Sequence, residues 1–195
     1  MPKRAPDPIT EEELNKILDA AIINERDYLI LRLLARTGIR IGELYGVYKR
    51  EHGGWIYGIQ KKDIDFRNKR LWVYSLKQRK YVRREVLVDD ATIVLLKRYT
   101  EKMKNDAYVF RGISYRQIQR LPKKYAQLAG VDKNVSCHSL RHFFITHSWR
   151  KGIDIARLQY LAGHADLKTT MIYTHVTTED VEKRYREIYE GDSKF

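Results

Sequence analysis

Apolar residues recur at helical spacing along most of this chain and alternate with polar ones in a single central region. Leu14, Ile17, Leu18 and Ala21 follow the i, i+3, i+4, i+7 pattern. Thr10 with Glu13 three residues on makes a capping box ahead of them, so the first amphipathic helix is predicted here. Asn24 opens a second helix, in which Leu29, Leu31, Leu33 and Leu34 leave almost no polar face, the pattern of a helix inside the core; Gly38 stops it. Residues 71–76 and 82–88 read as strands, with Lys77-Gln78-Arg79-Lys80 between them. Helices are predicted over residues 90–103 and after Ser114, whose capping partner is Gln117, and Pro122 predicts a break or kink in the second. Ser136 caps a helix that runs to Arg150. Asp154 caps another, with Ile155, Leu158 and Leu161 on one side and Gly163 as its left-handed stop. Thr178 caps a last helix bearing Val181, Tyr185, Ile188 and Tyr189, which packs on its own domain or on a neighbouring subunit. The sum is an α+β, mainly helical chain with a small antiparallel sheet.

Two segments lie outside this pattern. Residues 1–9 carry three prolines and read as an extended leader or linker. Residues 48–59 place His52-Gly53-Gly54 between aromatic residues, as a hairpin turn or an exposed loop would. Residues 61–70 are charged and contain Asp63-Ile64-Asp65. The 195 residues suit one domain, with at most a small appendage. With 38 Lys and Arg against 25 Asp and Glu, the net charge of +13 points to a polyanionic partner. The longest apolar run, over residues 28–35, is broken by Arg32 and is too short to span a membrane, and no signal-peptide core follows the basic N-terminus. One cysteine excludes an internal disulfide framework. No internal repeat is present.

Candidate chemistry concentrates in residues 137–175. His138 and Arg141, three apart, share a helix face; Gly163 delivers His164 just past the next helix; Tyr173 follows. Each has a plain structural alternative. Arg40, directly after Gly38, could simply pair with Glu43 at a helix start. His138 and His142 beside Cys137 have metal-ligand spacing, but Arg141 puts a permanent cation on the same face and argues against a metal. Taken together the set suits a phosphodiester. Arginine offers phosphate a planar fork of donors, and histidine hydrogen-bonds or moves protons near neutral pH. A tyrosine hydroxyl can attack phosphorus, although roughly one phenol in a thousand is ionised at pH 7, so a proton acceptor is needed. The basic turn at 77–80 either probes a nucleic-acid groove or merely keeps a hairpin soluble.

Thr37-Gly38-Ile39-Arg40-Ile41-Gly42-Glu43-Leu44, Lys77 in a strand-turn-strand, His138-Ser139-Leu140-Arg141-His142, Gly163-His164 and Ile172-Tyr173-Thr174-His175 occur in this order. In order and approximate spacing the chain resembles the tyrosine recombinase (phage integrase) family, specifically its Xer-like catalytic domains, from Thr10 to about Tyr189. The resemblance implies a site-specific recombinase that integrates or excises DNA through a 3′-phosphotyrosyl intermediate. Arg40 and Arg141 would hold the scissile phosphate, and His138 and His164 would add hydrogen bonds and proton handling. Tyr173 would be the nucleophile and Lys77 the general acid for the departing 5′-hydroxyl. Lys77, Arg79 and Lys80 would touch DNA. It further implies a catalytic domain over residues 10–178 and a terminal helix and tail over 179–195 that could be exchanged between protomers. The partner would be double-stranded DNA, bound by four protomers in the cytoplasm, with no metal or other cofactor and no membrane. A type IB-like topoisomerase uses similar residues, and a non-catalytic DNA-binding relative would keep the charge and fold.

Departures from the family pattern are local. Residues 48–59 interrupt a stretch that usually runs straight from Glu-Leu to Asp-Ile. Ala162 stands where Leu is usual, and Lys80 competes with Lys77, which is favoured because it sits at the end of the first strand. The helical domain with which relatives close around DNA has no counterpart here; the proline-containing leader suggests a linker in a longer integrase, the other reading being a natural single-domain enzyme.

Overall fold

The computed structural model describes residues 8–50, 53–77 and 80–163, the side chains of 76, 77 and 80 excepted. The order of elements is α1 (Glu11–Ala21), α2 (Glu25–Thr37), α3 (Ile41–Tyr45), β1 (Val47–Lys49), β2 (Gly54–Ile56), β3 (Ile64–Asp65), β4 (Arg70–Lys77), β5 (Lys80–Leu87), α4 (Asp90–Thr100), α5 (Tyr115–Leu128), α6 (Cys137–Arg150) and α7 (Ile155–Ala162). The fold is α+β and mainly helical, in line with the hydrophobic pattern.

The core is built around α2. Leu29, Ile30, Leu31, Leu33 and Leu34 are fully buried, and the helix packs against α1, α4, α5 and α6. Each such side chain stabilises the fold by roughly 2 kcal/mol. Arg32, which broke the apolar run, turns out to join two helices: its Nε donates to Thr92 Oγ1 at 2.7 Å and its Nη2 to Asp89 Oδ1 at 2.7 Å, the residue that caps α4. Asp27 is buried too, and Tyr125 of α5 donates to it at 2.9 Å.

Local signals set most helix ends. In α1 the Glu13 amide donates to Thr10 Oγ1 at 3.1 Å and the Thr10 amide to Glu13 at 2.8 Å, closing the capping box. Asn24, Ser114, Ser136 and Asp154 cap α2, α5, α6 and α7 by accepting the amide three residues on, and at Ser114 and Ser136 the box closes as well. α4 ends at Thr100 rather than near residue 103, because the Thr100 hydroxyl turns back onto the Leu96 carbonyl at 2.7 Å and the backbone tightens into a turn. In α7 Leu158 and Ala162 are the buried residues, whereas Ile155 and Leu161 are only partly covered.

Pro122 does not interrupt α5, contrary to the predicted break. A proline at 122 removes the donor that the Ile118 carbonyl would otherwise receive. The Cys137 thiol from the first turn of α6 approaches that carbonyl instead, at 3.7 Å. Burial pushes this thiol up to about 11, so it is protonated and can donate.

The sheet is antiparallel in the order β3-β4-β5, with Leu71 opposite Val86, Ser75 opposite Val82 and Lys77 opposite Lys80. Lys77 and Lys80, expected between the strands, thus form the last pair of the ladder. Residues 48–59 take the hairpin alternative: β1 and β2 form their own two-stranded sheet, with Val47 opposite Ile56. No helix among the described residues is long and apolar enough to cross a membrane.

Candidate phosphodiester site

α2 stops at Gly38, whose φ of 64° is a left-handed cap. Two residues later Arg40 stands at the head of α3, where its amide donates to Glu43 Oε2 at 2.7 Å. The Arg40 guanidinium lies 3.7 Å from Glu43 Oε1 and keeps 46% of its side chain exposed. It does pair with Glu43, as the plainer reading held, but it is a minor partner. Glu43 is 3% exposed and is held by Arg84 of β5, whose Nε lies 3.1 Å from Oε1 and whose Nη2 lies 3.0 Å from Oε2. The Ser75 hydroxyl of β4 also donates to Glu43. Burial alone would raise the Glu43 carboxyl; the Arg84 hydrogen bonds and charge, with Ser75 and the Arg40 amide, outweigh it and hold the group below its ordinary value.

α6 brings in His138, exposed on the first turn, and Arg141, 3% exposed. Arg141 Nη1 donates to the Gly38 carbonyl and Nη2 to the Ala162 carbonyl at 2.7 Å, so the guanidinium joins the end of α2 to the end of α7. The His138 imidazole is held below its ordinary value by partial burial and by the charges of Arg141 and Arg40, which places all three groups in one electrostatic neighbourhood. His142 belongs to the same helix but turns inward: its Nδ1 is 3.3 Å from Thr146 Oγ1.

The end of α7 is where these pieces meet. Three consecutive carbonyls each take an arginine: Leu161 from Arg84 at 3.0 Å, Ala162 from Arg141 at 2.7 Å, and Gly163 from Arg40 at 3.5 Å, the outer limit of a hydrogen bond. The last carbonyls of a helix lack intrahelical partners and carry partial negative charge, so cations are favoured there. Gly163, at φ 64°, closes the helix and fits against the Arg84 side chain, 2.7 Å from where a Cβ would lie.

Arg40 and Arg141 thus both reach the end of α7, and their charges act on His138 at the start of α6. Lys77 ends β4, and its position falls on the same face of the ladder as Ser75, two residues before it, the face that meets Glu43. Lys80, directly opposite, falls on that face as well. His164, Tyr173, Arg79 and the terminal helix after Thr178 lie outside the described residues. Sequence reasoning missed Arg84 and Ser75, whose signal was strand parity with buried Leu71 and Val73. It also missed a basic stripe on α5, where Arg116, Arg120 and Lys123 are exposed at helical spacing on a helix without an acidic residue.

The described domain is mainly helical and brings three arginines to the end of α7, beside the β4–β5 ribbon. The model of the phage integrase family matches residues 8–180, and the chain belongs to that family. Among its relatives are tyrosine recombinase XerA of Saccharolobus solfataricus, 34% identical over 177 residues, and XerA of Pyrococcus horikoshii, 35% identical over 188. These matches cover 91% and 92% of this chain but 55% and 60% of the relatives, so the chain spans little more than half their length. The crystal structure of a XerA recombinase superposes with a TM-score of 0.76 at 29% identity, covering 97% of this chain and 65% of that one.

Proposed function

We propose that this chain is the catalytic domain, residues 10–178 with a terminal helix and tail at 179–195, of a site-specific DNA recombinase. Tyr173 Oη attacks the scissile phosphorus and forms a 3′-phosphotyrosyl bond, the bond from phosphorus to the 5′-oxygen breaks, and that oxygen leaves with a proton from Lys77. A 5′-hydroxyl of the partner strand reverses the step, so the phosphodiester energy is kept in the protein–DNA bond. Arg40, half exposed beside His138, grips a non-bridging oxygen, and Arg141 acts from the buried side; both oppose the charge that grows on phosphate in the transition state. His138, kept neutral at pH 7, and His164 supply hydrogen bonds and move the tyrosine proton. Lys80 and Arg79 follow the DNA backbone near the cut, and the stripe of Arg116, Arg120 and Lys123 lies along a phosphate track. Four protomers acting on two duplexes complete an exchange.

The observation that carries this reading is the capture of three successive carbonyls at the end of α7 by three arginines, one residue ahead of His164 and ten ahead of Tyr173. The XerA relatives, recombinases by name, support it. The test is a denaturing-gel trap on nicked duplexes taken from DNA flanking the protein's own gene. A covalent band in the wild type that is absent from Tyr173→Phe is expected. Tight DNA binding with no band on any duplex, with the longer native chain tested as well, would make this a binding domain. Plasmid relaxation without any site requirement would move it to the topoisomerase class.

A further inference from the structure

Residues 47–57 serve none of the roles above, yet they are built into the molecule with care. The hairpin leaves and rejoins the body at one point: the Ile59 amide donates to the Leu44 carbonyl at 3.1 Å, and Gly46 and Gly58 cross so closely that a Cβ on either would lie 2.3 Å from the opposing backbone oxygen. Trp55 fixes the hairpin to the body. Its ring stacks on Tyr115 at the start of α5, centroids 5.0 Å apart, and meets Tyr45 edge-on at 5.0 Å, while its carbonyl accepts from Arg111 at 3.1 Å. Two residues on, Tyr57 reaches the β4–β5 ribbon. It stacks on Tyr81 at 4.5 Å and against Tyr74 at 4.9 Å, and Lys49 places its ammonium 5.5 Å from the Tyr81 ring centre.

Strand parity says which face is touched. Tyr74, Arg83, Leu76 and Tyr81 share one face of the ladder; Ser75, Arg84, Lys77 and Lys80 share the other. The insertion thus covers the side opposite the site. Cover is needed there: β3 pairs only with Arg70 and Leu71, so beyond Leu71 the ribbon is two-stranded among the described elements, and such ribbons are marginal in water. Tyr57 also has a φ of 63°, a conformation that a residue with a side chain adopts only where its surroundings impose it.

We propose that the insertion is a strut that fixes the Lys77-bearing ribbon relative to the body, with Tyr57 as its positioning residue. The idea rests on the reading of Lys77 as general acid, and two measurements separate the two. The first needs no DNA: amide hydrogen exchange of wild type against Tyr57→Gly, a change that relieves the backbone while removing the ring. Exchange at residues 73–75 and 81–83 should quicken about tenfold with α2 unchanged, and Tyr57→Phe, which keeps the ring, should restore protection. Equal quickening everywhere, or none, overturns the strut.

The second compares cleavage of nicked flanking-gene duplexes carrying the ordinary 5′-oxygen leaving group or a bridging 5′-sulfur, which departs as a thiolate without an acid. Tyr57→Gly should be about ten- to a hundredfold slow with oxygen and near wild type with sulfur, as should the more severely impaired Lys77→Ala. If Lys77→Ala is slow with both, the assignment of the acid fails while the exchange result still judges the strut. If Tyr57→Gly alone is slow with both, or loses DNA affinity, the insertion is a DNA contact and the strut is overturned.

Discussion

Arg84→Met is the substitution that most directly tests how the site is held. Methionine matches the length of the stem and removes the charge, leaving Glu43 3% exposed without the two donors at 3.1 and 3.0 Å. Breaking a buried pair by deleting one partner costs about 3–5 kcal/mol. Glu43 would keep the Ser75 hydroxyl and the Arg40 amide, so the lower end, about 3 kcal/mol at pH 7, is expected. The sign with pH is specific. In the wild type the folded-state pKa of Glu43 is depressed, so its contribution to stability is present above the ordinary value of 4.5 and fades as pH falls through the depressed one. In the variant burial outweighs the remaining Ser75 and Arg40 hydrogen bonds, the shift reverses, and the carboxyl becomes a liability that grows as pH rises through its new value. The gap between wild type and variant should narrow by about 1–2 kcal/mol from pH 7 to pH 4, chiefly because the variant's carboxyl takes up a proton and ceases to be a liability.

Urea unfolding followed by circular dichroism at pH 7 and pH 4 measures this gap, provided the m-values agree. Glu43→Gln combined with Arg84→Met should lose about 2 kcal/mol less than the two single changes added together. A gap that does not change with pH, together with additive single changes, would mean that Arg84 does not hold Glu43 charged, and the account of the network would be wrong.

Gly38→Ala would put a Cβ 2.3 Å from Phe144 Cδ1 at a φ of 64°, so a loss of about 2–3 kcal/mol is expected in thermal melting, and an unchanged melt would contradict the packing. His138, His142 and His147 all sit below their ordinary 6.5, burial being the largest cause in each. The unfolded chain then binds more protons, so stability should fall as pH drops through about 6.5, and His138→Gln should flatten that slope in denaturant midpoints taken at pH 7.5 and 5.5. Cys137, raised to about 11 from 9.0, should react with iodoacetamide at pH 8 about a hundredfold more slowly in the folded protein than in urea; equal rates would refute its burial. With roughly 6–10 phosphate contacts, DNA affinity should drop by about three to five decades between 50 and 200 mM salt, and a flat response would argue against a DNA clamp.

What was legible in the chain was what local chemistry decides. Thr10, Asn24, Ser136 and Asp154 cap helices because a side-chain oxygen reaches an amide three residues on, and Gly38 and Gly163 end helices because only glycine enters the left-handed region freely. Arg40, His138 and Arg141 were legible because each sits at a fixed offset from such an end. Arg84 was not: it neighbours Arg83, and residue type cannot tell them apart. Parity can. Arg83 lies on the outer face, over Trp72 and 3.1 Å from Asp63, while Arg84 lies on the inner face with Ser75 and Glu43. The continuity of α5 through Pro122 was hidden for a related reason, since the donor at the Ile118 carbonyl comes from Cys137 in another helix.

The same separation changes what the arginines mean. The family resemblance implies that Arg40 and Arg141 both hold the scissile phosphate. In the fold, Arg141 is buried and committed to the carbonyls of Gly38 and Ala162, whereas Arg40 is nearly half exposed and touches the end of α7 only at 3.5 Å. Arg141 and Arg84 therefore first fix where α7 ends; Arg40 remains the more accessible cation of the three. In the proposed reaction such geometry would be set before the phosphate binds, and preorganised charge costs no reorganisation when the transition state forms. A lysine could supply charge at position 141 but not the planar fork that spans two helix ends, which is why the residue type matters there as scaffold.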